Sequence, residues 1–449
     1  MTEKPIIIKQ TNRNTRTQQA DLQFAPQFFD ENLVLREYRQ KAWKTYLDLP
    51  LPNGKEEDWR RTSLKGIDFS TIKTIDSDIY PEVVFPSWLS NNVAGEKLGA
   101  QLLLSPVNSH LTIERTIVEK GVVFGSLKEQ ILTKPELIEM ILGKIKFDKA
   151  KFSALAGALD FNGVLLYVPR NTVVELPIQS VYWAPAEEYA HSLHILVHLE
   201  EGSSATFVHE AGSPAGAIQE SIHAGIMEIY IGPGAHLNFV ELQSWGENVI
   251  NFTRENVEVD RDGSVDWIFG ALGSRLTKNY SNLNLLGQGS MGKMSGFYFA
   301  NNQQHLDHDT QQNHLAPNTT SDLLFKGALL DKSRSVWQGM IYVAPEATKT
   351  DGYQANRNLI LSDQARADSI PGLEILTDDV RCTHGATVGK IDEEQIFYLE
   401  SRGLPRIQAE KLVVEGFFEP IMQRIPFEGV RNRFRQAIKE KMEHIGLHN

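Results

Sequence analysis

Apolar residues recur with a helical period near both ends of the chain and with a period of two through its long middle. Phe28, Phe29, Leu33, Leu35, Tyr38, Ala42, Trp43 and Leu47 follow the helical spacing, and Pro50 and Pro52 stop it. The pattern predicts a helix between Pro26 and Leu49 and a second from Pro135 to about Ile145. After Phe161 the period changes. Leu193, Ile195, Val197 and Leu199 alternate with Ser192, His194 and His198, and Ser335, Trp337, Gly339, Ile341 and Val343 form another alternating set, so both segments read as strands. Turns containing Gly202, Gly234, Gly263 and Gly289 separate such runs at intervals of 32, 29 and 26 residues, and Lys332 and Gln364 mark similar turns 32 apart. Repeats of this length built from short strands favour a solenoid whose coils stack their apolar edges, a β-helix, with a β-sandwich or jelly roll as the alternative.

From Asp392 the helical period returns. Asp392, Glu393 and Glu394 supply first-turn acidity for a helix carrying Ile396, Phe397 and Leu399. Gly403-Leu404-Pro405 punctuates, and Ile407, Ala409, Leu412, Val413 and Phe417 continue the period. A last stripe holds Val430, Phe434, Ile438, Met442 and Ile445. The organisation expected is a mainly helical region over 1–155, a β-helix core over 156–390 and a helical region over 391–449.

Composition narrows the partners. The 449 residues carry 57 acidic and 45 basic side chains, a net charge of −12, which argues against nucleic acid or an anionic membrane surface. A single cysteine excludes an intramolecular disulfide framework and fits a reducing compartment. The opening Met1-Thr2-Glu3-Lys4-Pro5-Ile6-Ile7-Ile8-Lys9 lacks the apolar core of a secretory signal, and no apolar run is long enough to span a bilayer, so a soluble cytoplasmic protein is expected.

That one cysteine, Cys382, lies two positions before His384, and on a strand the two side chains share a face. A thiolate beside an imidazole is a soft, metal-competent pair, yet an iron–sulfur cluster takes about four ligands, mostly thiolates. The pair is half a site. Val380, Ala386 and Val388 fall on the same face, so an inert pair packed inside the last coil is the other reading.

Two further segments carry candidate chemistry. Gly287-Gln288-Gly289-Ser290-Met291-Gly292-Lys293-Met294 approaches a phosphate-binding loop, but Met294 replaces the magnesium-ligating Ser or Thr and Ser295-Gly296-Phe297-Tyr298-Phe299 reads as strand, so a turn is expected. His305, Asp307 and Asp309 would share one strand face, and His308, Thr310, Gln312 and His314 the other. This favours a structural polar ladder; an auxiliary metal or proton-handling role remains, and with it an independent metal-binding or carbohydrate-active β-helix enzyme acting through His305, His308 and His314. There is no Gly-x-Ser-x-Gly nucleophile elbow.

A family resemblance rests on extended motifs. His314-Leu315-Ala316-Pro317-Asn318-Thr319-Thr320-Ser321, Phe325-Lys326-Gly327, Asp331-Lys332-Ser333-Arg334-Ser335-Val336-Trp337-Gln338-Gly339, Lys349-Thr350-Asp351-Gly352-Tyr353-Gln354-Ala355-Asn356-Arg357-Asn358-Leu359, Cys382-Thr383-His384-Gly385-Ala386-Thr387-Val388-Gly389 and Phe397-Tyr398-Leu399-Glu400-Ser401-Arg402-Gly403 resemble the SufB/SufD family. Glu57-Asp58-Trp59-Arg60 is the main echo before residue 160. The Tyr353–Asn358 and Cys382–Gly385 forms look like SufD; the extra cysteines and the His-Glu-Ala motif typical of SufB are absent.

The resemblance implies a right-handed parallel β-helix between helical ends, in a complex of SufB, SufD and two copies of the SufC ATPase that assembles iron–sulfur clusters. It implies a non-catalytic subunit; a homodimer of the isolated chain is left open by the sequence. By matching motif, His384 is implied in cluster assembly or iron entry at the SufB–SufD interface, with Cys382 beside it. The nascent cluster or iron would be transient, shared with SufB and not stably bound by the lone chain. The ATPase would dock within 392–425.

Overall fold

The computed structural model describes residues 21–22, 25–28, 32–86, 97–147, 150–159, 161–425 and 428–443. Sixteen strands, from Gly163–Val168 to Val380–Lys390, alternate between two sheets, so successive pairs make eight turns of a solenoid. Each of these strands but the last two pairs in parallel with the strand two further along the chain. Glu258 stands beside Asn284, Asn284 beside Asn313 and Asn313 beside Tyr342. A sandwich or jelly roll would need antiparallel pairing here, so the β-helix expectation holds.

One corner of the coil explains the repeat in the sequence. Gly202, Gly234, Asp262, Gly289, Asn318 and Lys349 all have φ between 54° and 74°, a left-handed conformation that Gly, Asn and Asp adopt most readily. Each donates its backbone N–H to the corner of the next coil: Gly202 to Pro233 at 2.9 Å, Gly234 to Arg261 at 2.8 Å, Asp262 to Gln288 at 3.0 Å and Asn318 to Thr348 at 2.9 Å. The glycine marks therefore count one corner per turn, with Gly263 lying one residue past the left-handed Asp262. The segment resembling a phosphate loop is this corner followed by the strand Met291–Ala300, as the turn reading expects.

Aromatic stacking fills the solenoid where register aligns like residues. Phe207, Phe239 and Trp267 are neighbours on successive strands, with ring centroids 5.7 and 6.1 Å apart. The outer faces are covered unevenly. The helices Leu33–Asp48 and Lys151–Ala158 belong to an apolar cluster that includes Ile222, Ala224 and Ile226 on the nine-stranded sheet. Strand Ser221–Ile231 is consequently buried on both faces and loses its alternation.

The first helix begins at Leu33 rather than near Pro26, where the Asn32 side chain caps it by accepting from Leu35 N. The next expected helix runs Pro135–Ile141 and stops short of Ile145, because Gly143 turns left-handed and the N–H groups of Gly143 and Ile145 donate to buried Glu228 at 3.1 and 2.7 Å. Three short strands, Ala100–Leu104, Ser109–Ile113 and Val123–Ser126, lie among the N-terminal helices and extend both sheets.

At the other end, helices Arg406–Met422 and Glu428–Glu443 cover the outer face of the ten-stranded sheet. Val430, Phe434, Ile438 and Met442 are each 1% exposed and share an apolar cluster with Val240, Ile268 and Phe297, as the stripe in the sequence requires. Ile445 lies outside the described residues. Among the described residues, no helix is long and apolar enough to cross a membrane.

Candidate functional site

The two sheets end on strands Arg366–Ile375 and Val380–Lys390, and neither has a further neighbour among the described residues. Earlier turns are closed by the coil that follows: on strand Thr350–Ile360 the inward Gln354 and Asn356 are 0% exposed. In the two final strands no residue is fully buried. The solenoid is therefore open at this end, presenting two strand edges and the inward face of its last turn.

Cys382 and His384 sit on that face. Parallel register places Cys382 beside Gly352 and His384 beside Gln354, with Ala386 and Val388 continuing the same row. Cys382 is half-buried, packed with Ile341, Val343, Leu373 and Val380, whereas His384 is exposed. Burial pushes the thiol pKa above its ordinary value and nearby Asp351 adds to the rise, while a hydrogen bond with the Gly352 backbone opposes it. An unligated Cys382 is thus a protonated thiol at neutral pH, and a metal must displace that proton.

One sulfur and one exposed imidazole provide two donors where an iron–sulfur cluster takes about four. The open edge leaves room for the rest to come from another chain. Among the described residues, no group of three or more His, Cys, Asp or Glu side chains is arranged to hold a metal ion.

The histidines of strand His305–His314 divide between its two faces, as alternation requires. On the outer face His305 Nε2 lies 2.9 Å from Thr62 Oγ1, and Asp307 pairs with Lys278 at 3.0 Å while accepting from Thr62. Burial raises the Asp309 carboxyl to about 6 on that same face. On the inner face His308 is packed by the rings of Phe269 and Tyr298 at 5.0 and 5.6 Å and has no hydrogen-bond partner, while His314 bonds to Thr319 and Ser321. The three histidines do not converge on one pocket.

Sequence reasoning missed the inward company of Cys382. Ser321, Gly352 and Cys382 are register neighbours, and His314 reaches the same place from the opposite sheet. Only strand register brings these positions together, and the sequence does not print it.

The C-terminal helices present a second surface. Asp392 caps helix Glu393–Ser401 by accepting from Glu394 N at 2.9 Å, and this helix leaves Phe397 and Tyr398 72% and 57% exposed. Ile407 and Leu412 on the next helix are also exposed. A cleft of 570 Å³ beside them is lined by Leu359, Gln395, Leu399, Leu412, Val413 and Phe417. Apolar exposure of this kind, next to a cleft, is typical of an interaction surface.

Residues 182–417 match the family described as the SufBD core domain of the SUF system for FeS cluster assembly, and residues 28–180 match the SufBD protein N-terminal region. Among similar proteins are iron-sulfur cluster assembly SufBD family proteins of Staphylococcus epidermidis, Staphylococcus haemolyticus and Staphylococcus aureus. Each is 30% identical over 332 residues, covering 74% of this chain and 71% of the relative.

Proposed function

The chain belongs to the SufBD family of iron–sulfur cluster assembly proteins, and on that premise we propose that it is the SufD-like, non-catalytic subunit of a cytoplasmic assembly complex. One observation carries the reading: the only thiol of the chain and an exposed histidine stand together on the open last turn of the solenoid, two donors short of a cluster site. Such a half-site has a use where a second chain brings further thiolates to the same edge. The partner is a SufB-like paralogue, whose extra cysteines would supply them, and the nascent cluster or its iron is shared cargo.

ATP hydrolysis belongs to a SufC-type ATPase in this reading, docked on the surface around Phe397, Tyr398 and Leu412. The segment at Gly287 that resembles a phosphate loop opens a strand, which supports placing the nucleotide in a partner. Opening and closing of an ATPase dimer would strain the edge where the shared site forms.

The test is a His384→Ala variant co-expressed with the two partners. Its exposed position predicts unchanged folding and unchanged co-purification. Iron and sulfide recovered on the complex should fall several-fold. Full recovery of both would remove His384 from the assembly site.

A further inference from the structure

Three rings stack on the outer face of the nine-stranded sheet, and the stack ends at a cavity. Tyr167, His198 and Tyr230 are register neighbours on three successive coils. Ring centroids lie 5.9 Å apart between Tyr167 and His198 and 4.8 Å apart between His198 and Tyr230, with planes within 26° of parallel. The rings follow the spacing of the strands, so each turns one face to the coil before it and the other to the coil after. Tyr230 is the last ring, fixed by its hydroxyl, which donates to Asp260 Oδ2 at 2.9 Å. On the next coil the same position is Glu258.

A cavity of 560 Å³ opens over that fourth position, with Tyr230, Glu258, Asn256, Lys144 and Met140 in its lining. Asn256 Nδ2 donates to Glu258 Oε1 at 3.3 Å, and Lys144 Nζ stands 3.8 Å from Glu258 Oε2, beyond hydrogen-bond reach. A carboxylate oxygen accepts more than one hydrogen bond, so Glu258 keeps acceptor capacity.

Charge decides the sign of the occupant. Elsewhere in the lining Arg170 is held by Glu201 at 2.5 Å, and its backbone N–H donates to Glu200 at 2.9 Å. Burial raises Glu228 to about 7 and lowers His198 below its ordinary value, so the first is partly neutral and the second largely uncharged at neutral pH. Glu200, Glu201 and Glu258 still outnumber Lys144 and Arg170, which favours a cation.

The same outer face already holds one such arrangement. Arg254, on the strand of Glu258, places its guanidinium carbon 4.4 Å from the ring centre of Tyr280, its register neighbour. A guanidinium is flat, stacks on an aromatic face and pairs with a carboxylate in its own plane, whereas an ammonium has no plane to match. We propose that the cavity binds the guanidinium of an arginine side chain, stacked on the second face of Tyr230 and paired with Glu258, its methylene stem against Met140. The site lies on early coils, away from Cys382, and stands or falls independently of the proposed function.

Saturation-transfer NMR on the full chain mixed with Nα-acetyl-arginine methylamide tests this, with Nα-acetyl-lysine methylamide and free L-arginine as comparisons. Saturation should reach the arginine side chain, and the arginine compound should bind about fivefold or more tighter than the lysine compound. Affinity should fall about tenfold in Glu258→Gln and in Tyr230→Leu, and stay within about twofold in Tyr230→Phe, which keeps the ring face. No transfer to the arginine compound overturns the inference. Equal binding of the lysine compound does so too, as does unchanged affinity in Glu258→Gln. If Tyr230→Leu fails to fold, Glu258→Gln and the lysine comparison decide. Preference for the capped compound over free L-arginine assigns the side chain to a polypeptide, and the reverse preference to a free metabolite.

Discussion

Lys278 and Asp307 are register neighbours on adjacent coils, joined at 3.0 Å, and neither side chain exposes any surface. The other carboxylate oxygen of Asp307 accepts from Thr62, three residues beyond the short helix Glu57–Trp59, so one buried charge pair ties the N-terminal region to the solenoid. Burial pushes the Asp307 carboxyl up while Lys278 pulls it back. Removing one partner strands the other charge in the interior, whereas replacing both by apolar groups relieves that cost.

Lys278→Met is therefore expected to destabilise the protein by about 3–5 kcal/mol. Lys278→Met combined with Asp307→Leu should recover most of that loss. Urea unfolding of the two variants checks the claim. A double variant as unstable as the single one would show that the pair is not the unit that matters.

Buried histidines make acid sensitivity a second expectation. Burial lowers His191, His209 and His308 to about 3 and His194, His223, His305 and His314 to about 4, from an ordinary value of 6.5. Between pH 4 and 6.5 the unfolded chain binds protons at these rings that the folded chain refuses, so stability rises with pH across that window. Glu228 and Glu255, which burial raises to about 7, Asp309, raised to about 6, and Glu241 and Asp307, both pushed up by burial, act oppositely, because the folded chain holds protons there that the unfolded chain loses as pH rises through the ordinary carboxylate range. Seven rings outweigh five carboxyls. The urea midpoint should fall steadily as pH drops from 6.5 to 4, and a flat or rising midpoint would contradict this balance.

Much of the architecture was legible because a solenoid writes its geometry into spacing. One left-handed corner per coil favours Gly202, Gly234 and Gly289, and inward positions such as Leu193, Ile195 and Val197 must be apolar. Strands covered on both faces were harder, since Ile222, Ala224 and Ile226 pack outward against helices while Met227 and Ile229 pack inward. The candidate site was half legible. Period two puts Cys382 and His384 on one face, but nothing local reveals that the last turn is uncapped or that His314 approaches from the other sheet. Phe397 and Tyr398 read as part of an amphipathic helix; their exposure follows from which face the fold covers.

That exposure sets the third expectation. Phe397 and Tyr398 are 72% and 57% exposed, so Phe397→Ser with Tyr398→Ser should change stability by no more than about 0.5 kcal/mol per site. Removing the whole segment 392–449 is a blunter experiment. It would strip Phe418, Val430 and Phe434 from the sheet and uncover Phe297, whose ring centroid lies 3.2 Å from that of Phe434. The paired serine substitutions leave this packing in place while removing two apolar anchors, and aromatic anchors carry much of the energy of a typical interface. In a pull-down from cells expressing all three subunits, the variant should keep the SufB-like partner and lose most of the ATPase. Capture of the ATPase at the unaltered level, with the variant melting at its normal temperature, would move the docking surface away from this helix.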